Sequence, residues 1–177
     1  AALAIAVGLA PALPRLAPWS VRAAGLCQAI SSHGHWPHFS DYALQDEPSA
    51  NPVFRRTTSP SIPLTRESDT LSSGTLTSVA VTFSGRYEPR AAGWHVFRLD
   101  VTGRAALYID GLLRAKVDQG DEVEGAAAAQ VYLSASPHEL IVRYMSGGPA
   151  RQLSVSVASG DQKATPLTDG LFSGACP

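Results

Sequence analysis

The sequence predicts an all-β fold, an antiparallel β-sandwich. Three observations carry that expectation. Apolar residues recur with a period of two over many short stretches, turn-forming Gly, Pro, Ser and Asp separate those stretches, and no segment sustains a helical period. Many short strands punctuated in this way indicate two sheets packed on one core.

Residues 83–111, FSGRYEPRAAGWHVFRLDVTGRAALYIDG, organise the chain. His95, Phe97, Leu99 and Val101 alternate with Trp94, Val96, Arg98 and Asp100, which gives each set a fixed face of a strand. The first set is mostly apolar and points to a core. Thr102-Gly103-Arg104 reads as a tight turn, with glycine free to take a positive φ. Ala105 to Asp110 then returns as the second strand of a hairpin with the first. Asp110-Gly111 suits a type I′ turn into a further strand.

The other elements follow in order. A first strand starts at Gly25-Leu26 within residues 21–30. Residues 52–57 and 61–65 read as short strands around Ser59-Pro60, and RESDTLSSGT as a polar loop. Val79, Val81 and Phe83 alternate on the strand entering the central stretch. After it, residues 112–117 form a strand and Asp118-Gln119-Gly120-Asp121 a turn, while residues 125–129 are small and weakly patterned. Residues 131–133 and 139–145 are strands, the latter with Leu140, Val142 and Tyr144 on one face. Gly147-Gly148-Pro149 breaks the chain before a last long strand bearing Leu153, Val155 and Val157. The expected core is Val81, Phe83, Phe97, Leu99, Leu107, Ile109, Leu140, Val142, Tyr144, Val155 and Val157.

Composition bounds the function. The chain has 177 residues, enough for one domain with a real core plus a tail. Hydrophobic residues make up 45% and charged residues 16%, which excludes a disordered chain. A net charge of −1 with no basic run excludes nucleic acid as a partner, because phosphate neutralisation needs clustered Lys and Arg. Cys27 and Cys176 lie just outside the first and last core segments. They are either two separate buried thiols or a bridge, and their position favours the bridge. A bridge would close a long loop, worth on the order of 4–5 kcal/mol, and would imply an oxidising compartment.

Residues 1–22 form a separate apolar segment ahead of a domain at 23–177. AALAIAVGLAPAL is uncharged, yet at 13 residues it is shorter than the ~20 needed to span a bilayer. It reads as the end of a signal peptide, the exit end of a membrane helix, an interface with a partner chain, or an apolar strand on the sandwich. Pro11, Pro14 and Pro18 argue against a long regular helix. Trp19 with Arg15 and Arg22 has the make-up of an interfacial anchor. The two arginines would vote for a cytoplasmic side, the cysteines for an extracytoplasmic one; the cysteines carry more weight.

Residues 33–42 hold His33, His35 and His38 with Trp36, Phe39 and Tyr42 among them. The histidines lack the spacing of a zinc site, so no metal is expected. The three rings suit a recognition loop for a protein or a sugar, or else fold back over a sheet edge. No nucleophile elbow, phosphate loop or metalloprotease helix is present, and no catalytic residue or cofactor is assigned. His95 reads as a core histidine and His138, after Pro137, as a solvated turn residue. Asp118, Asp121, Glu122 and Glu124 read as a hydrated acidic loop.

LYIDG, with Gly93, Phe97 and Leu99 ahead of it, resembles the centre of the protective-antigen-type domain, the PA-fourteen family. VYLSASPHELIVRYMSGGPARQLSVSV and NPVFRRTTSPSIPL resemble segments of that family in the same order, so the likeness covers roughly residues 25–172. The resemblance implies a β-sandwich of adhesins, toxins, glycosidases and glycosyltransferases. Carbohydrate-binding members hold calcium through paired aspartates in the turn before LYIDG. The matching positions here are Thr102 and Gly103, with Asp100 a poor substitute, which weakens a calcium-lectin reading.

The expected function is a non-catalytic binding or scaffold domain in the periplasm or at the cell surface, attached to a membrane or membrane-protein complex through the N-terminus. Trp19, Trp36, Phe39 and Tyr42 are the expected binding residues. The alternatives are a carbohydrate-binding, adhesin-like module with a glycan partner, and the accessory extracytoplasmic domain of a membrane glycosyltransferase.

Overall fold

A computed structural model describes residues 23–31, 53–65, 79–120, 123–147, 150–173 and 176, and among them it contains strands and no helix. In chain order these are β1 (Ala23–Ala24), β2 (Leu26–Ser31), β3 (Val53–Thr57), β4 (Ile62–Thr65), β5 (Val79–Tyr87), β6 (Gly93–Thr102) and β7 (Arg104–Ile109). There follow β8 (Leu112–Asp118), β9 (Glu124–Leu133), β10 (His138–Ser146), β11 (Arg151–Ser159), β12 (Thr165–Pro166) and β13 (Leu171–Ser173).

The strands form two antiparallel sheets. One runs β1-β13-β5-β10-β7-β8, with β2 also paired to β5 and β3 to β2. The other runs β12-β11-β6-β9, with β4 also paired to β11. All eleven expected core residues join one cluster between the sheets, ten of them buried and Val157 partly buried against it. The burial of β6 follows the sequence alternation: His95, Phe97, Leu99 and Val101 are inside, Trp94, Val96 and Arg98 outside. Asp110 (φ 53°) and Gly111 (φ 72°) make the two-residue turn joining β7 to β8, with Ile109 opposite Leu112. Two positive φ angles in succession are what a type I′ turn requires.

The structure corrects the central hairpin. β6 and β7 are consecutive but do not pair: β6 lies between β11 and β9, and β7 between β10 and β8. The Thr102-Gly103-Arg104 turn is a corner from one sheet to the other. A hairpin would set the apolar faces of β6 and β7 side by side, whereas the corner sets them opposite each other across the core. Tyr144 on β10 ties the corner down, donating its hydroxyl proton to the Thr102 carbonyl at 2.9 Å in a buried hydrogen bond.

Gly103 makes the corner passable. Its φ is +115°, and a Cβ there would lie 2.7 Å from the Met145 carbonyl oxygen. Gly103→Ala is expected to cost about 2 kcal/mol through backbone strain and this clash. Urea unfolding checks it, and an unchanged midpoint would show that the corner relaxes freely.

A second correction concerns residues 125–129. They are the middle of β9, a ten-residue strand paired along all of β6, from Gly93 opposite Leu133 to Thr102 opposite Glu124. At Gly125 the small size is a packing requirement. A Cβ on Gly125 would sit 2.5 Å from Val117 Cγ1 of β8. Ala127 and Ala129 pack partly buried against the core. Alanine and glycine have low strand propensity, so tertiary contact overrides local preference here.

Candidate functional site

The strand registers gather one end of the sandwich. Gly93 opposite Leu133, His138 opposite Tyr87 and Leu140 opposite Ile109 place the β5–β6 connection, the β9–β10 connection and the β7–β8 turn together. The Thr102–Gly103 corner lies at the other end of the ten-residue β6, about 30 Å away at ~3.3 Å per residue.

The gathered end is cut by a cleft of ≈ 650 Å³ between residues 87–95 and residues 157–170. Its lining includes Tyr87, Arg90, Trp94, His95, Lys163 and Asp169. That volume falls within the ~300–1,000 Å³ of small-molecule sites. Two backbone bonds join the walls: Glu88 N–H donates to Gly170 O at 2.7 Å and Gly160 N–H to Trp94 O at 3.1 Å. Gly170 is needed at this seam, because with φ +71° a Cβ would meet Glu88 O at 2.5 Å.

Strand alternation sets the side chains of the cleft. Trp94 takes the outward phase of β6 and stands 55% exposed at the rim. Tyr132, its register partner on β9, is 59% exposed and meets it edge to face, with centroids 5.5 Å apart. His95 takes the inward phase and is 2% exposed, stacked on Phe97 and edge-on to Tyr87. Its Nδ1 lies 3.1 Å from Gly93 O, so Nδ1 carries the proton and Nε2 remains an acceptor. Burial raises the Tyr87 pKa, opposed by the charge of Arg90 and aided by that of Asp169. The phenol therefore stays a neutral hydrogen-bonding group at physiological pH. Across the mouth, Arg90 Nη2 pairs with Asp169 Oδ2 at 2.7 Å, both side chains largely exposed. The end thus combines an aromatic platform, polar donors and acceptors, and an exposed ion pair.

The residues expected from the sequence fall differently. Trp19, Trp36, Phe39 and Tyr42 lie outside the described residues, as do residues 1–22 and the histidines His33, His35 and His38. Cys27 and Cys176 are joined in a disulfide with their Cα atoms 5.4 Å apart. At the corner that the family resemblance would give to calcium, Thr102 is 3% exposed and Gly103 has no side chain. The nearby Asp100 is instead held by Arg98, whose Nε and Nη2 donate to its carboxylate at 2.7–3.0 Å. That contact raises the Arg98 pKa. Asp118 pairs with Arg104 and Lys116, each at 3.3 Å. Among the described residues no three His, Cys, Asp or Glu side chains gather to hold a metal.

His138 is a correction. It opens β10 with its side chain only 14% exposed, and Nδ1 donates to Asp110 Oδ2 at 2.7 Å. Solvation is the sequence expectation because His138 follows Pro137 in a turn; its partner Asp110 lies 28 positions earlier in the chain. Trp94 and Tyr132 were missed as site residues. The signal was present: each is a ring in the outward phase of a strand whose inward phase is apolar.

Two antiparallel sheets closed on one core, with connections clustered at an aromatic-rimmed end, define a PA14-like β-sandwich. Solved structures bear this out. The "PA14 sugar-binding domain from RTX adhesin" is 15% identical, with 86% of this chain and 99% of that one covered at a TM-score of 0.67. The Epithelial Adhesin 9 A domain from Candida glabrata, in complex with Galb1-4GlcNAc, is 12% identical, with 89% and 92% covered at 0.67. An anti-sigma factor domain-containing protein from Clostridium clariflavum is 15% identical at a TM-score of 0.68, with 85% of this chain covered; this chain spans 47% of that protein's length. No family model and no curated protein sequence matches the chain.

Proposed function

We propose that this chain is a non-catalytic binding domain that works outside the cytoplasm and holds a carbohydrate in the Trp94 cleft. The observation that carries the reading is the exposed Trp94–Tyr132 pair, with Trp94 lining a cleft of mixed polar and apolar walls. A sugar ring offers an apolar C–H face and a rim of hydroxyls. Aromatic side chains bind the first, and neutral groups such as the Tyr87 hydroxyl and His95 Nε2 suit the second. Sugar-binding adhesin domains of the same fold support the reading, and the disulfide supports an oxidising compartment. The Thr102–Gly103 corner presents no carboxylate to calcium.

Glycan-array screening of the native chain, followed by calorimetry on the best binder, tests this. Trp94→Ala is expected to weaken binding by about 2 kcal/mol, roughly thirty-fold, as for a central aromatic anchor. Addition of a calcium chelator is expected to leave affinity unchanged. A native chain that binds no glycan, or a Trp94→Ala variant with native affinity, refutes the reading. Attachment to a membrane through residues 1–22, and a protein partner at Trp36, Phe39 and Tyr42, rest on the sequence alone because both stretches lie outside the described residues.

A further inference from the structure

Beside the cleft, the β7–β8 turn and the β9–β10 connection place an acid, an imidazole and a hydroxyl in line. Asp110 Oδ2 accepts from His138 Nδ1 at 2.7 Å, and His138 Nε2 lies 3.1 Å from Ser134 Oγ. Ser136 Oγ lies 2.6 Å beyond, on Ser134 Oγ. The carboxylate is fixed from behind: its Oδ1 accepts from Glu139 N–H at 3.0 Å, and Asp110 N–H donates to Glu139 O at 3.0 Å. This fixed carboxylate holds the Nδ1 proton in place and leaves Nε2 as the base, the arrangement that activates a serine whatever fold carries it.

We propose that Ser134 is an activated hydroxyl and a site of covalent acylation, taking an acyl group from an activated ester or thioester. As the Ser134 Oγ–carbon bond forms at the acyl carbonyl, the hydroxyl proton passes to His138 Nε2. The bond from carbon to the leaving oxygen or sulfur then breaks, and the imidazolium returns the proton to that leaving group. Asp110 stabilises the imidazolium between the two transfers. The product is a Ser134 ester, formed once per chain, so the step is a modification of this domain and needs no turnover. His138 Nε2 also lies 3.2 Å from Ser134 O.

The full 177-residue chain is treated with p-nitrophenyl acetate and, separately, with a fluorophosphonate, which forms an oxygen–phosphorus bond as fluoride leaves. Intact mass and peptide mapping locate the adduct. The expected result is one adduct on Ser134. His138→Gln and Asp110→Asn are expected to slow it about a hundred-fold, the lower range for a general base, while Ser136→Ala still labels. Circular dichroism confirms the fold of each variant; should Asp110→Asn unfold, His138→Gln alone decides. Adducts scattered over several side chains, no adduct, or native-rate labelling of folded His138→Gln would overturn the proposal and leave the string a structural tie. None of these outcomes depends on glycan binding.

Discussion

Replacing Cys27 and Cys176 together by alanine is expected to lower stability by about 5 kcal/mol, the chain-entropy value for a loop of 149 residues. The bond joins the start of the domain to its end. Cys27 is buried in β2, opposite Arg56 of β3 and Ser84 of β5, and Cys176 follows β13, which itself pairs with β1 and β5. The C-terminal strand β13 is short, three residues with two register pairs to β5 and two to β1. A loss of this size is a large fraction of the ~5–15 kcal/mol of a typical domain. At roughly 2–4 °C per kcal/mol it moves the melting temperature by about 10–20 °C. Calorimetry of the double variant, and of the native chain with a reductant, checks it. A shift below about 3 °C in both would show that the strands hold the terminus without the bond.

Phe97→Ala is expected to cost about 4 kcal/mol. Phe97 is fully buried at the centre of β6, edge-on to Tyr87 with centroids 5.6 Å apart and stacked on His95. Truncation loses the transfer energy of the ring and leaves a cavity that close-packed neighbours fill only in part, which puts such changes at about 3–5 kcal/mol. Because Tyr87 and His95 line the cleft, the same change is expected to weaken ligand binding in the folded fraction. Phe97→Leu, which keeps most of the volume, is expected to cost under half as much. Chemical denaturation of both variants tests the ordering. An equal loss for Ala and Leu would point to ring geometry rather than volume.

Much of the architecture was written in local pattern. The alternation of His95, Phe97, Leu99 and Val101 set the inner face of β6, because a strand has no other way to place successive side chains. Asp110-Gly111 specified its turn through backbone preference alone. The positions of Cys27 and Cys176 near the two ends of the domain pointed to their bond, and LYIDG pointed to the PA14-like fold. None of these depends on what lies across the core.

What pattern left open was pairing. Nothing in Thr102-Gly103-Arg104 distinguishes a hairpin from a corner; the Met145 carbonyl above Gly103 and the Tyr144 hydroxyl on Thr102 decide it, and both come from β10. The small residues of β9 are weakly patterned in sequence, and only Val117 of β8 shows why residue 125 is glycine. The site was hidden for the same reason. Trp94 and Tyr132 lie 38 positions apart in sequence and become neighbours only through the β6–β9 register, as Asp110 and His138 do through β7 and β10. Local sequence determines which face each residue takes. Long-range pairing determines which faces meet, because a single register fixes every contact along two strands at once.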